Sequence, residues 1–307
     1  MNALSNEFGK VAVLMGGWSA EREISLLSGN AVLKALQAQG IDAHGVDVGH
    51  DIAAVLNEGK FDRAFIVLHG RGGEDGTMQG LLSAMSIPYT GSRVLGSSLS
   101  MDKLRTKQIW HAVGLPTPDY CILDNEIDCS EAIKKVGLPL IVKPVLEGSS
   151  IGMSKVMDES EMVAAWQKAK ACGGTVIAEK WINGMEYTAA ILNDCVLPMI
   201  RLETSHEFYD FDAKYQSDDT KYICPCGLEE EEETRLSLMM RKAFDAVDAS
   251  GWGRVDFMMD EDNKPWLIEV NTVPGMTDHS LVPMAAKQTG IDFEQLVVEI
   301  LRGTCHE

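Results

Sequence analysis

The sequence predicts an α/β protein: an N-terminal parallel sheet with helices on its faces, followed by two smaller α+β units. Three observations carry this reading. Up to about residue 100, short apolar runs alternate with amphipathic ones at the spacing of strand–helix–strand units, which build parallel sheets. Leu115-Pro116-Thr117-Pro118 then breaks the pattern, because a residue before proline is pushed out of the helical region. Beyond it, apolar runs flank tight-turn dipeptides, Asn193-Asp194 and Asp262-Asn263, which signal hairpins.

Taken in order, residues 11–15 read as a short apolar strand, 25–39 as an amphipathic helix, 64–68 as a buried strand and 77–85 as a second helix. Polar glycine-rich loops follow both strands, 16–21 and 69–76, at the carboxyl ends where open α/β sheets bind ligands. Neither has the G-x-G-x-x-G spacing of a dinucleotide site. A helix spans 100–113, and then come a helix near 130–136, a strand at 140–143, a glycine loop, a strand at 152–156, a helix near 159–171 and a strand at 175–181. Strands 187–192 and 196–202 flank Asn193-Asp194. Residues 206–227 are polar and aperiodic; a loop that long in a compact domain often serves as a lid. A long helix at 229–249 precedes the hairpin, and 293–301 closes the chain.

A net charge of −19 and a pI near 4.7 argue against nucleic acid or an anionic membrane as partner, since phosphates would be repelled. The seven cysteines are scattered, and Cys224-Pro225-Cys226 has no second pair at zinc-site spacing. Free thiols in a reducing compartment are expected. No apolar run approaches bilayer length, and the first ten residues lack the pattern of a signal peptide, so a cytoplasmic protein is expected.

The hairpin concentrates the chemistry. With Asp262-Asn263 as a two-residue loop, Asp256 falls opposite Glu269 and Arg254 opposite Asn271, all on one face. Val255, Phe257 and Met259 then share the other face with Trp266, Ile268 and Val270. Hard oxygen donors gathered this way suit Mg²⁺ better than an exposed edge, where lysine is the usual residue. Lys143 on a strand before the loop Glu147-Gly148-Ser149-Ser150 places a positive charge beside backbone N–H groups able to close on phosphate. Alone, that loop reads more readily as an ordinary hairpin turn. The strand end Glu179-Lys180-Trp181-Ile182 offers backbone donors and acceptors for an adenine edge, and Glu186 a carboxylate for ribose hydroxyls, although a linker with a solvated glutamate fits as well. Lys214 and Tyr215 lie in the lid segment, which also reads as a charged surface loop. Together these residues form an inventory for phosphoryl transfer: two Mg²⁺ or Mn²⁺ ions on Asp256, Glu269 and Asn271, phosphates clamped by Lys103, Lys143 and Lys214, and Arg254 facing developing charge.

As a set, the motifs resemble those of the ATP-grasp enzymes, and within them the D-alanine:D-alanine ligases. The resemblance runs from Gly16 to beyond Ser280 and rests on residues 17–25, His69-Gly70-Arg71-Gly72-Gly73-Glu74-Asp75-Gly76, Met101-Asp102-Lys103, Lys143-Pro144 with 147–150, Glu179-Lys180, Lys214-Tyr215, 251–256, 269–277 and 279–281. It implies an ATP-grasp fold: an N-terminal parallel-sheet (pre-ATP-grasp) domain at 1–97, then subdomains at 98–184 and 185–307 enclosing the nucleotide, the latter carrying the lid 206–227. It also implies ATP-dependent joining of two D-alanines through an acyl phosphate, and a homodimer. By the same similarity Glu21 binds the first ammonium and is linked to Ser149 and Tyr215. Arg254 and the N–H of Gly275 hold the oxyanion, Ser280 and the N–H of Leu281 receive the second carboxylate, and His69 sits beside the first substrate, where a structural histidine is the alternative. Trp18 is bulkier than the family pattern and is expected to narrow the first pocket; Val270 is larger than its usual counterpart. Tyr215 points to an amine as the attacking group.

Overall fold

A computed structural model of the chain describes residues 7–203, 220–277 and 279–306. β1 (Lys10–Gly16), β2 (Asp42–Val48) and β3 (Arg63–Ile66) form a parallel sheet in the order β2-β1-β3. Val11, Ala12, Val13 and Leu14 are all fully buried, which explains a continuous apolar run where a one-sided strand would alternate. Helices α1 (Arg22–Ala38), α2 (Ile52–Gly59) and α3 (Thr77–Ala84) follow the three strands. Both β2 and α2 escape the sequence reading. β2 is an edge strand that buries only Ala43, Val46 and Val48 and shows Asp42, His44 and Asp47 between them.

The helix expected at 100–113 is two helices, α4 (Val94–Met101) and α5 (Lys103–Ala112). Asp102 separates them because its backbone is extended (φ −87°, ψ 96°) and its Oδ1 caps α5 by accepting from Arg105 N at 3.0 Å. The break makes Lys103 the first helical residue.

The central sheet is antiparallel, in the order β4-β7-β5-β6: β4 (Tyr120–Leu123), β5 (Leu140–Pro144), β6 (Ser154–Val156) and β7 (Val176–Lys180). Helices α6 (Asp128–Val136) and α7 (Met162–Ala171) cover one face through Ala132, Val136, Met162, Ala165 and Ala169.

A third, antiparallel sheet runs β11-β10-β8-β12-β13, with β9 beside β8. Its strands are β8 (Gly184–Leu192), β9 (Cys195–Val196), β10 (Ile200–Glu203), β11 (Lys221–Ile223), β12 (Trp252–Asp260) and β13 (Pro265–Asn271). One strand was expected at 196–202; the structure divides it around Pro198, which has no N–H for a ladder. Helix α8 (Glu230–Ala246) packs behind the sheet through Leu236, Met240, Ala243 and Phe244. α9 (Leu281–Gln288) and α10 (Phe293–Arg302) return to the first sheet. Val282, Leu296, Val297 and Leu301 share one apolar cluster with β1 and with Val32 and Leu36 of α1.

The β12–β13 hairpin pairs Asp256 with Glu269 and Arg254 with Asn271, the expected register, but by a different route. Asp260 N donates to Lys264 O, so the loop holds three residues, 261–263, with Asn263 left-handed at φ 57°. The extra loop residue shifts the outer pairs to Phe257 with Leu267 and Met259 with Pro265, and a bulge at Ile268 restores the inner register. Leu267, rather than Ile268, therefore enters the core with Phe257 and Met259, while Trp266 pairs with Met258 and its Nε1 donates to Asp260 Oδ2 at 2.8 Å.

Candidate active site

A cavity of about 580 Å³ lies between the central and third sheets. Strand periodicity decides what reaches it. Leu140, Val142, Val176 and Ala178 enter the core under α6 and α7, so Ile141, Lys143, Ile177 and Glu179 face the other way. Val255, Phe257 and Met259 pack with α8, which turns Arg254, Asp256 and Met258 toward the central sheet, beside Thr188 and Glu186 of β8. The bulge adds Ile268 to the lining. Ile141, Ile182, Leu202, Met258 and Ile268 supply apolar walls that suit an aromatic base. Lys103, Lys143, Asp256, Glu269 and the 147–150 loop supply charge and backbone donors.

Several charged groups here hold one another. Lys103 Nζ donates to Glu147 O at 2.9 Å and pairs with Glu269 Oε2 at 3.0 Å. Burial lowers the pKa of its ammonium, but Glu269, Glu74 and Glu21 outweigh that and leave it raised. Glu179 Oε2 lies 2.8 Å from Lys107 Nζ and 3.0 Å from Lys143 Nζ. Burial opposes the carboxylate, yet the two ammonium groups hold its pKa below the ordinary range. Burial also pushes Lys107 down to about 8. Arg254 grips Asp256 in a two-pronged pair, Nε to Oδ1 and Nη2 to Oδ2, both 2.7 Å. Thr188 Oγ1 and Asn271 Nδ2 also donate to Asp256, at 2.6 and 2.9 Å.

These donors fit a hard divalent cation. Two carboxylates and an amide face one another across the hairpin, leaving positions for phosphate oxygens and water, as Mg²⁺ prefers. Among the described residues no group of three or more His, Cys, Asp or Glu side chains is placed to hold a metal ion by itself.

Next to the cavity, three loops meet at Glu21. Ser149 Oγ donates to Glu21 Oε1 at 2.6 Å. Ser149 and Ser150 are both left-handed, at φ 49° and 59°, a conformation costing about 1–3 kcal/mol each, offset here by that bond and by Met153 N donating to Ser150 O. Gly70 and Gly148 border the carboxylate so closely that an added Cβ would come within 2.9 and 3.1 Å of Glu21 Oε2. Arg71 pairs with Glu147 at 2.7 Å, a second tie between the same loops. His69 Nδ1 is 2.9 Å from Val273 O and must carry the proton, because a carbonyl only accepts. Its Nε2 is then a buried lone pair with no partner among the described residues, and burial lowers the pKa of the ring so that it stays neutral.

Glu74 was quoted only within a motif, yet it joins this loop to the turn after β13: Gly70 N donates to Oε2 at 2.6 Å and Val273 N to Oε1 at 3.3 Å. Burial, with Glu21 nearby, raises its pKa to about 8. Gly275 lies in that turn, where Met276 N is anchored by Ser28 Oγ at 3.1 Å. Ser280 begins α9 and accepts from Thr277 N at 2.8 Å, and Leu281 N is the first N–H of that helix. Lys180 and Glu186 both line the cavity; Lys180 is exposed, and its N–H donates to Asp119 O at 2.9 Å. Trp18 does not line the large cavity. It is 43% exposed and stacks on His50 at 5.0 Å between centroids, over Gly72. Lys214 and Tyr215 lie outside the described residues.

Comparison with known proteins matches residues 49–92 to the family model of the D-ala D-ala ligase N-terminus and residues 109–302 to that of its C-terminus. The chain belongs to the D-alanine–D-alanine ligase family. Among curated relatives, a D-alanine–D-alanine ligase of Ectopseudomonas mendocina is 60% identical over 294 residues, covering 96% of this chain and 94% of the relative. One from Methylococcus capsulatus is 58% identical over 297 residues, covering 97% and 96%. The solved D-alanine–D-alanine ligase of Bacillus anthracis superposes with a TM-score of 0.86 at 34% identity, over 96% of this chain and 97% of that one. Its complex with ATP gives 0.83 at 31%, over 96% and 97%. A D-Ala:D-Ser ligase of Enterococcus faecalis gives 0.80 at 29%, over 96% and 99%. The fold is thus that of the D-alanine–D-alanine ligases, an N-terminal parallel sheet followed by antiparallel ones. Within that frame, the sequence reading missed Glu74 and Lys107. The available signal for Lys107 was its position four residues after Lys103, one turn along the same helix.

Proposed function

We infer that the chain is an ATP-dependent D-alanine:D-alanine ligase that makes D-alanyl-D-alanine for peptidoglycan precursors. The convergence of three groups carries the reading: a nucleotide-sized cavity, the Glu21–Ser149 pair at its edge, and the Asp256–Glu269 hairpin that lines it. The first D-alanine carboxylate attacks the γ-phosphate of ATP, displacing ADP, and becomes an acyl phosphate. The amine of the second attacks that carbonyl, and inorganic phosphate leaves from a tetrahedral intermediate. The substrate carboxylate is its own nucleophile, which accounts for the lack of a Ser-His or Cys-His pair in the proposed machinery.

In this reading Glu21 and the Nε2 lone pair of His69 accept from the first ammonium. Lys103, Lys143 and Lys214 neutralise phosphate oxygens, while Glu179 to Ile182 and Glu186 hold adenosine. Arg254 and the Gly275 N–H stabilise the oxyanion. Ser280 and the Leu281 N–H, at the positive end of α9, take the second carboxylate. Tyr215 completes the Glu21–Ser149 link. Asp256, Glu269 and Asn271 would hold two divalent cations, which when bound neutralise the phosphate charge; Arg254 and Lys103 pair with the same two carboxylates. Family resemblance further supports a homodimer, testable by sedimentation, and a cytoplasmic site, where ATP is available. No helix among the described residues is long and apolar enough to cross a membrane.

The test is phosphate release with ATP, Mg²⁺ and D-alanine, matched one-to-one by dipeptide. Release that does not depend on D-alanine would refute the assignment. Offering D-serine and D-lactate as second substrate measures how far the acceptor is restricted.

A further inference from the structure

We propose that Lys107 is a positioning residue which, through Glu179, makes the ligase select a 6-aminopurine nucleotide over a 6-oxopurine one. The inference rests on the ATP-ligase reading above and deepens it. Lys107 is fully buried on α5 and is not among the residues lining the cavity. Its Nζ donates to Thr117 Oγ1 at 2.7 Å, and that hydroxyl donates in turn to Leu267 O of β13 at 3.0 Å. The ammonium is therefore moored to the hairpin beside the bulge, while its charge reaches Glu179 on the opposite sheet. It ties together the two sheets that enclose the cavity.

What it does to Glu179 follows from where the charges sit. Lys107 and Lys143 both approach Oε2, at 2.8 and 3.0 Å. Two cations on one oxygen restrain the rotation of the carboxylate and leave Oε1 for a ligand in the cavity that Glu179 lines. An ionised carboxylate only accepts, so it requires a donor from the ligand. The exocyclic amine of adenine is such a donor. The carbonyl of hypoxanthine or guanine would set two acceptors against each other in a buried site, where an unpaired polar group is costly. Lys143 itself lines the cavity, whereas Lys107 does not and is tied to Thr117, so Lys107 is the cation held from outside the space a ligand would fill.

ATP and ITP differ at purine position 6, so they isolate the effect. The ratio of kcat/KM for ATP over ITP, read as D-alanine-dependent phosphate release, should be about 100 or more for the native enzyme. In Lys107→Met it should fall at least about tenfold, mainly through a higher KM for ATP. A purely structural role would lower both nucleotides together, and an unchanged ratio overturns the proposal. Should Lys107→Met fail to fold, Glu179→Gln decides: its amide can donate to a 6-oxo group, so the ratio should move toward ITP by about tenfold, and an unmoved ratio overturns the proposal. Competition of ATP and ITP against a fluorescent ATP analogue separates this from the function assigned above. Tight, ATP-selective binding without D-alanine-dependent turnover refutes the ligase reading alone, and equal use of both nucleotides in turnover refutes the selectivity alone.

Discussion

Arg254 reaches the cavity face of β12 with its guanidinium already aligned by Asp256, at 2.7 Å through both prongs. Preorganisation of this kind lets a cation meet charge as it develops without first rearranging. Arg254→Ala should lower kcat about 10²–10³-fold while the KM for ATP changes only a few-fold; a loss confined to ATP affinity would assign the residue to nucleotide binding instead. Glu74 supports a prediction in pH. Its carboxyl titrates near 8 in the folded chain against an ordinary 4.5, so between those values the folded state holds a proton that the unfolded state has lost. Stability from this group is complete below about pH 4.5 and drains away as pH rises toward 8. Melting temperature for Glu74→Gln, relative to the native protein, should therefore climb from pH 5 to pH 8; a flat difference would show that the carboxyl titrates normally. Neither this residue nor Lys107 stood out in the sequence, because each acquires its meaning from distant partners: Val273, which bonds Glu74, is 199 positions away.

At the scale of elements, the hairpin shows what alternation in a sequence reveals and what it hides. Period two placed Arg254, Asp256, Glu269 and Asn271 on one face, and the structure agrees. It misjudged Trp266 and Ile268, because a three-residue loop and a bulge are offsetting one-residue shifts that leave the inner register unchanged. Asn263, which takes the left-handed position in that loop, was the only cue to the longer turn. Long apolar strands such as β1 and β5 were legible; β2 was not, since an edge strand shows half its length to water. The glycine loop gains its shape from contacts outside itself, and its tie to Glu21 is one side-chain bond. Ser149→Ala should raise the KM for the first D-alanine about tenfold, the scale of a lost hydrogen bond to a charged group, with little change in the KM for ATP. An equal rise in both would mean that the bond serves the phosphate loop rather than the amino-acid site.

Across the whole molecule, the cavity is a seam between independently built sheets, and the charged pairs Lys103–Glu269 and Lys107–Glu179 cross it. Removing divalent cations with a chelator should abolish turnover, and Mg²⁺ or Mn²⁺ should restore it; undiminished phosphate release in chelator would exclude a metal role for Asp256, Glu269 and Asn271. The division into a parallel sheet and later antiparallel units followed from connection lengths and turn dipeptides, whereas the way the units close on one another depends on contacts far apart in sequence.

The return of α10 to the first sheet has a consequence for synthesis on the ribosome. Val32 and Leu36 of α1 share one apolar cluster with Val297, Val298 and Leu301 of α10, which follows both antiparallel sheets in the chain. Domains generally fold as units while the chain emerges. Here the core of the first sheet draws on α10, which follows both antiparallel sheets in the chain, so the order in which the cores can be completed is not the order in which their sheets are translated.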